Sequence, residues 1–199
     1  MESAKDAREI MNCSKSPLFP DVLLVNPVVH GDSRGYFLES YQAERYAQAG
    51  MPKRFVQDNI SCSRRGVLRG LHYQLRRPQG KLLWVIVGEV FDVVVDIRRG
   101  SPTWGKWFGV TLSDHGHQQI YVPEGFAHGF CVTSESAIVS YKCTDYYAPG
   151  DEGGIRWDDP TLAIPWPVNR PVLSEKDATY PALAEIPPDG LPQPPAAAG

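Results

Sequence analysis

Leu82-Leu83-Trp84-Val85-Ile86-Val87-Gly88-Glu89-Val90-Phe91-Asp92-Val93-Val94-Val95-Asp96-Ile97 is the stretch on which the fold turns. Phe91, Val93, Val95 and Ile97 alternate with Val90, Asp92, Val94 and Asp96. That period of two sends successive side chains to opposite faces of a strand. One face is wholly apolar and is expected to line the core. Gly88-Glu89 breaks the run and predicts a tight hairpin turn between two strands. Further runs of strand length lie at Val22 to Val29, Gly35 to Tyr41, Val67 to Gln74, Lys106 to Ser113, Gln118 to Val122 and Ala137 to Thr144. Their β-branched and aromatic content, with turn residues between them, predicts an all-β, antiparallel architecture.

Helices are expected only at the periphery, over Gln42 to Ala49 before Gly50-Met51-Pro52, with a short one around Glu175 to Tyr180. The 199 residues suffice for one core, so residues 1–181 are read as a single domain. Residues 182–199, rich in proline and alanine, are read as a mobile tail. The formal charge of -3 gives no basic field of the kind that holds nucleic acid. No stretch approaches the roughly 18 apolar residues of a membrane span, and a soluble, cytoplasmic protein is expected. Cys13, Cys62, Cys131 and Cys143 lack the spacing of a structural zinc site and read as free thiols of a reducing compartment.

Chemistry concentrates in Val67-Leu68-Arg69-Gly70-Leu71-His72-Tyr73-Gln74 and the nearby Gln79-Gly80-Lys81. An imidazole, a guanidinium and an amine in a strand-rich region suit proton transfer beside an anionic substrate. Strict alternation puts Arg69 and His72 on opposite faces, so Gly70 is expected to mark a bulge that turns both inward. Pro123-Glu124-Gly125-Phe126-Ala127-His128 resembles the Pro-x-Gly-x-x-His motif with which cupin-type jelly rolls turn a strand and aim a histidine into the barrel. The histidine pair that would begin a cupin metal site is reduced here to His72-Tyr73-Gln74, and Lys81 stands where a ligating carboxylate is sought. No metal is expected at such a donor set.

Ordered blocks along residues 22–177 make the chain resemble the dTDP-4-dehydrorhamnose 3,5-epimerase family. They are Asp32-Ser33-Arg34-Gly35-Tyr36-Phe37-Leu38-Glu39, Gln57-Asp58-Asn59, Gly66 to Gln74, Gln79-Gly80-Lys81, Gly88 to Val93, Pro123 to Phe130, Tyr141-Lys142-Cys143-Thr144 and Leu173-Ser174-Glu175-Lys176-Asp177. The resemblance implies a cupin-type jelly-roll barrel and a reaction without a cofactor. A base removes the proton next to a 4-keto group, an enolate forms, and reprotonation from the opposite face inverts the centre at C3 and C5 of a dTDP-4-keto-6-deoxyhexose. It also implies roles. His72 is the base and Asp177 its partner, Tyr141 is the acid, and Lys81 faces the enolate oxygen. Arg69 and Arg34 suit the pyrophosphate. Phe37, Glu39, Gln57 and Asn59 surround the nucleotide, and His128 assists sugar binding.

Without the resemblance, Asp177 reads as a surface carboxylate at a helix start and Tyr141 as a packing aromatic. The family further implies a homodimer in which N-terminal strands cross to the partner, so Arg34 serves either its own site or the neighbour's. Ile60 and Trp84 depart from the family's usual histidine and basic residue, and are expected to bear on substrate preference. Other readings are an enzyme acting at C3 alone or as a ketone isomerase, a noncatalytic jelly-roll binder, and a metal-dependent cupin oxygenase.

Overall fold

The computed structural model describes residues 11–193 and contains thirteen strands, one α-helix and three short 3-10 turns. A six-stranded sheet runs β1 (Met11–Lys15), β2 (Leu23–Pro27), β10 (Gln119–Val122), β7 (Lys81–Val87), β12 (Ser136–Cys143) and β5 (Gln57–Arg64). A five-stranded sheet runs β13 (Glu152–Gly154), β6 (Leu68–Gln74), β11 (Phe126–Val132), β8 (Glu89–Asp96) and β9 (Trp107–Ser113). Every pairing inside these sheets is antiparallel. The two sheets close on each other as a cupin-type jelly roll. A separate hairpin, β3 (Val29–Asp32) with β4 (Gly35–Leu38), projects from the body with all but Leu38 exposed.

Three apolar layers hold the fold. Between the sheets, Leu83, Val85, Ile120 and Val139 of one meet Val90, Val94, Leu112 and Phe130 of the other. On the outer face of the five-stranded sheet, Val93, Val95, Ile97 and Leu71 pack under Ile155, Leu162, Trp166 and Leu183. Outside the six-stranded sheet, Leu82, Val25 and Tyr121 pack with Tyr46 of α1 (Ala43–Gln48).

Two expectations for Leu82–Ile97 change here. Gly88 joins β7 to β8, which do not pair and belong to different sheets, so the break is a corner rather than a hairpin. The apolar face of β8 is core, but it faces outward onto the C-terminal segment, while Val90, Asp92 and Val94 face the barrel interior. The strand is buried on both sides. Part of the segment read as a mobile tail packs on the body: 3-10 turns form at Leu183–Glu185 and Pro188–Gly190, Leu183 and Leu191 are buried, and Tyr73 donates its hydroxyl to the Gly190 carbonyl at 2.8 Å. Prolines there end regular structure without preventing packing. Residues 194–199 lie outside the described residues.

Candidate active site

A cavity of about 560 Å³ opens between the two sheets, and both sheets furnish its walls. β6, β11 and β13 bring Arg69, His72, His128 and Glu152; the 3-10 turn Asp177–Thr179 adds Asp177. From the facing sheet come Gln57, Asn59 and Ser61 on β5, Lys81 on β7 and Tyr141 on β12. The imidazole of His72 and the phenol of Tyr141 therefore stand on opposite walls.

The β6 wall depends on a register slip. Between β6 and β11, His72 pairs with His128 and Arg69 with Phe130, so β6 spends one extra residue over that span. The excess falls at Gly70, where φ is +124°, and a Cβ there would lie 2.6 Å from Gly129 Cα. Only glycine fits such a crossing. The slip reverses the parity of the strand, which is how Arg69 and His72 both reach the cavity as the sequence predicts.

His72 Nε2 and Asp177 Oδ1 are 2.6 Å apart, and Asp177 is almost wholly buried. Burial alone would raise the Asp177 pKa, but the hydrogen bond and charge of His72, with smaller help from Ser174 and Lys176, hold it below the usual carboxylate range. The other ring nitrogen, Nδ1, stands 3.7 Å from Glu152 Oε1. Glu152 also pairs with Lys176 through Oε2, which accepts from the Tyr147 hydroxyl at 3.2 Å. Behind the ring, Tyr180 meets His72 edge-on at 5.7 Å, in space left by Gly154, whose Cβ would fall 2.3 Å from the tyrosine ring. His128 Nε2 is held by the Asp92 carboxylate at 2.9 and 3.0 Å, a second buried imidazole-carboxylate pair.

On the opposite wall burial lowers the Lys81 pKa, against the opposing pull of Cys143, Glu152 and Asp92. A positive charge partly withdrawn from water on the cavity wall is poised to meet an anion. Burial raises the Tyr141 pKa, so its phenol keeps its proton at neutral pH. Gln57 donates to the Asn59 side-chain oxygen at 3.0 Å and accepts from the Tyr147 backbone at 2.8 Å. Arg69 donates to Ser63 at 3.0 Å, and Ser61 Oγ is buried with no hydrogen-bond partner among the described residues.

Eight of the expected site residues thus share one cavity: His72, Asp177, Tyr141, Lys81, Gln57, Asn59, Arg69 and His128. Arg34, Phe37 and Glu39 do not line it. Arg34 pairs with Asp32 near the tip of the β3–β4 hairpin, Phe37 is 71% exposed, and Glu39 pairs with Arg45. Ile60 and Trp84 point away from the cavity: Ile60 is 71% exposed and Trp84 packs on the outer face of its sheet.

Three wall residues escaped the sequence reading, Glu152, Tyr147 and Ser61, as did Asp92, which lies behind His128. Asp92 alone left a signal, a carboxylate inside an apolar strand. Among the described residues no group of three or more His, Cys, Asp or Glu side chains is arranged to hold a metal ion, and no helix is long and apolar enough to cross a membrane. A second opening of about 600 Å³, beside Lys15, Arg98 and Tyr121, holds no imidazole, and its Arg98 is tied to Asp96 and Asp21.

A jelly roll whose facing sheets carry an imidazole-carboxylate pair on one side and a phenol with an ammonium on the other defines a class: an enzyme furnished for proton abstraction and return at carbon. The sequence profile described as dTDP-4-dehydrorhamnose 3,5-epimerase matches residues 17–185, and the chain belongs to that family. It is 55% identical to the dTDP-4-dehydrorhamnose 3,5-epimerase of Pseudomonas aeruginosa over 168 residues, 83% of this chain and 93% of that protein. It is 50% identical to the enzyme of that description from Methanothermobacter thermautotrophicus over 168 residues, 83% of this chain and 91% of that protein. The crystal structure of the dTDP-6-deoxy-D-glucose-3,5-epimerase of Legionella pneumophila, in complex with dTDP-4-keto-L-rhamnose, superimposes with a TM-score of 0.90 at 50% identity and covers 94% of this chain and 100% of that one.

Proposed function

We propose that the protein inverts C3 and C5 of dTDP-4-dehydro-6-deoxy-D-glucose to give dTDP-4-dehydro-L-rhamnose, a step of dTDP-L-rhamnose biosynthesis. The observation that carries this reading is the separation of His72 and Tyr141 onto facing walls of one cavity. Inversion needs a proton taken from one face of a planar enolate and another delivered to the opposite face, and a single wall cannot do both. His72 takes the proton, and Asp177 fixes its tautomer and stabilises the imidazolium that forms. Lys81 meets the charge that develops on the C4 oxygen, and Tyr141 returns a proton from the other side. His128, held by Asp92, supports the sugar, and Arg69 meets the diphosphate.

Turnover of the 4-keto sugar in deuterated water tests the reading. Label at both C3 and C5 is expected. Label at C3 alone would replace it with a single inversion, and no label at either carbon would overturn it.

The nucleotide is held between two copies of the chain. The β3–β4 hairpin leaves Phe37 and Tyr36 exposed and keeps Arg34 away from its own cavity, the arrangement of a segment that completes a neighbour's site. Phe37 would then supply an aromatic face to the base, with Glu39 at its edge and Arg34 on the diphosphate. A monomer in sedimentation at micromolar concentration would refute this arrangement. Cytoplasmic residence is part of the same proposal, and the four free cysteines suit a reducing compartment.

A further inference from the structure

We infer that Glu152 is the group that relieves His72 of the proton taken from the substrate, and that Lys176 and Tyr147 hold it for that task. The inference rests on the epimerase reading and adds to it what happens between the two inversions. In the D-gluco ring the hydrogens at C3 and C5 project from the same face. One base on one wall therefore serves both carbons, and it must be discharged after the first abstraction before it can perform the second. The other nitrogen of that base offers no exit. Nε2 is bound to Asp177 at 2.6 Å, and that carboxylate is 3% exposed, without access to bulk water.

The proton enters and leaves at Nδ1. Glu152 Oε1 is 3.7 Å from that atom, longer than a hydrogen bond, and contacts of this kind tighten when substrate fills a site. Its placement is set by backbone: β13 pairs with β6 so that Gly154 lies opposite His72 and Glu152 opposite Gln74, on the same face of the sheet. The second oxygen, Oε2, is bound by Lys176 and by the hydroxyl of Tyr147, two residues that are each about half exposed. The result is a continuous path from a half-buried imidazole through a carboxylate to groups in contact with water.

The balance is simple. The carbon–hydrogen bond gives its proton to Nδ1 and its electron pair to the enolate. The Nδ1 proton passes to Glu152 Oε1, and from there to solvent beside Lys176. Tyr141 gives its proton to carbon and recovers one from solvent, so no group is changed over a turnover.

Single-turnover reactions with excess enzyme, quenched over time and resolved into singly and doubly inverted sugar, test this in wild type, Glu152→Gln and Glu152→Asp. In Glu152→Gln the first inversion should stay within about threefold of wild type, while the second slows by about tenfold or more, so singly inverted sugar accumulates. Added formate or imidazole should accelerate that second step by accepting the proton in place of the carboxylate, and Glu152→Asp should restore much of it. If Glu152→Gln does not fold, the same comparison is made with Glu152→Asp, whose second inversion should be slower than wild type and respond to formate. Equal slowing of both inversions with no response to buffer would make Glu152 a support of the His72 ring and overturn the inference, as would a wild-type ratio of products at wild-type rate. Failure of wild type to label either carbon would instead remove the epimerase reading on which it rests.

Discussion

The two walls of the cavity are built from opposite materials. The wall of β6, β11 and β13 is dense with charge in pairs: His72 with Asp177, His128 with Asp92, Glu152 with Lys176. Each of these six groups has an opposite partner beside it, whereas Arg69 on the same wall is held by the Ser63 hydroxyl. The wall of β5, β7 and β12 holds Lys81 and Tyr141 with amides and a hydroxyl, and the carboxylates that act on Lys81, those of Glu152 and Asp92, belong to the facing sheet. A paired wall is stable and can pass protons along its pairs. A cation partly withdrawn from water is costly in the empty protein and is repaid by an anionic ligand. The difference teaches that the base and its proton exit share the paired wall, while the group that meets the developing negative charge stands with the acid on the other.

His72→Asn gives the largest expected effect. Removal of the base should lower kcat by about 10³- to 10⁴-fold and abolish exchange at C3 and C5 together, read by deuterium incorporation. A variant that still exchanged one of the two carbons at wild-type rate would show a second base and break the one-base description of that wall. Lys81→Met follows, with a loss of about 10²- to 10³-fold in kcat. It carries a second, opposite signature. Because burial depresses the lysine pKa, the charged form weakens the fold at pH values below its folded pKa, and that cost fades as pH rises toward 10.5. The inactive variant should therefore melt higher at pH 7, by about 3 °C for roughly 1 kcal/mol in a domain of this size. A lower Tm would mean that Lys81 is stabilised in the empty protein after all.

Tyr141→Phe should cost about 10²-fold in inversion and spare hydrogen exchange. His72 can still remove a proton and return a solvent-derived one to the same face, so label enters with retention of configuration. Loss of exchange in step with loss of inversion would erase the distinction between the walls.

What the sequence discloses follows this division. The apolar runs of β8, β7 and β12 announce themselves because water is excluded from at least one side, whereas β11, buried throughout, is marked only by the turn motif that precedes its histidine. β5 does not announce itself. Its cavity side is Gln57, Asn59 and Ser61, and its other side bears Asp58, exposed Ile60 and exposed Cys62, so no apolar period marks it. A wall that must bind polar ligand hides the strand that forms it. β13 is hidden for another reason, since Glu152-Gly153-Gly154 offers two residues without side chains, removed to make room for Tyr73 and Tyr180. The link between His72 and Asp177 spans 105 residues and leaves no local trace. Only the resemblance joined them. The Gly88 corner misleads because a glycine between apolar runs looks the same whether the chain folds back or crosses to the facing sheet.

The smallest expected effect concerns Asp177 and the pH dependence of the fold. Its carboxyl is held below the ordinary 3.8 in the folded state, because His72, Ser174 and Lys176 outweigh the penalty of burial. A depressed acid contributes stability that is complete above its unfolded pKa and is lost as pH falls through the folded one. Asp177→Asn removes that contribution and keeps the shape. In urea unfolding the variant should be less stable than wild type at pH 7 and at pH 5 by similar amounts, about 1 to 3 kcal/mol for a buried hydrogen-bonded charge left without its partner. The gap should narrow once the pH drops below 3.8, where wild type begins to lose what the variant never had. Lys81 offers the control on the other wall: its replacement changes stability with the opposite sign at pH 7, and that difference fades only toward alkaline pH. A difference between wild type and Asp177→Asn that stayed constant from pH 7 to pH 3 would assign the loss to packing, and the charge pairing attributed to the His72 wall would then lie elsewhere in the fold.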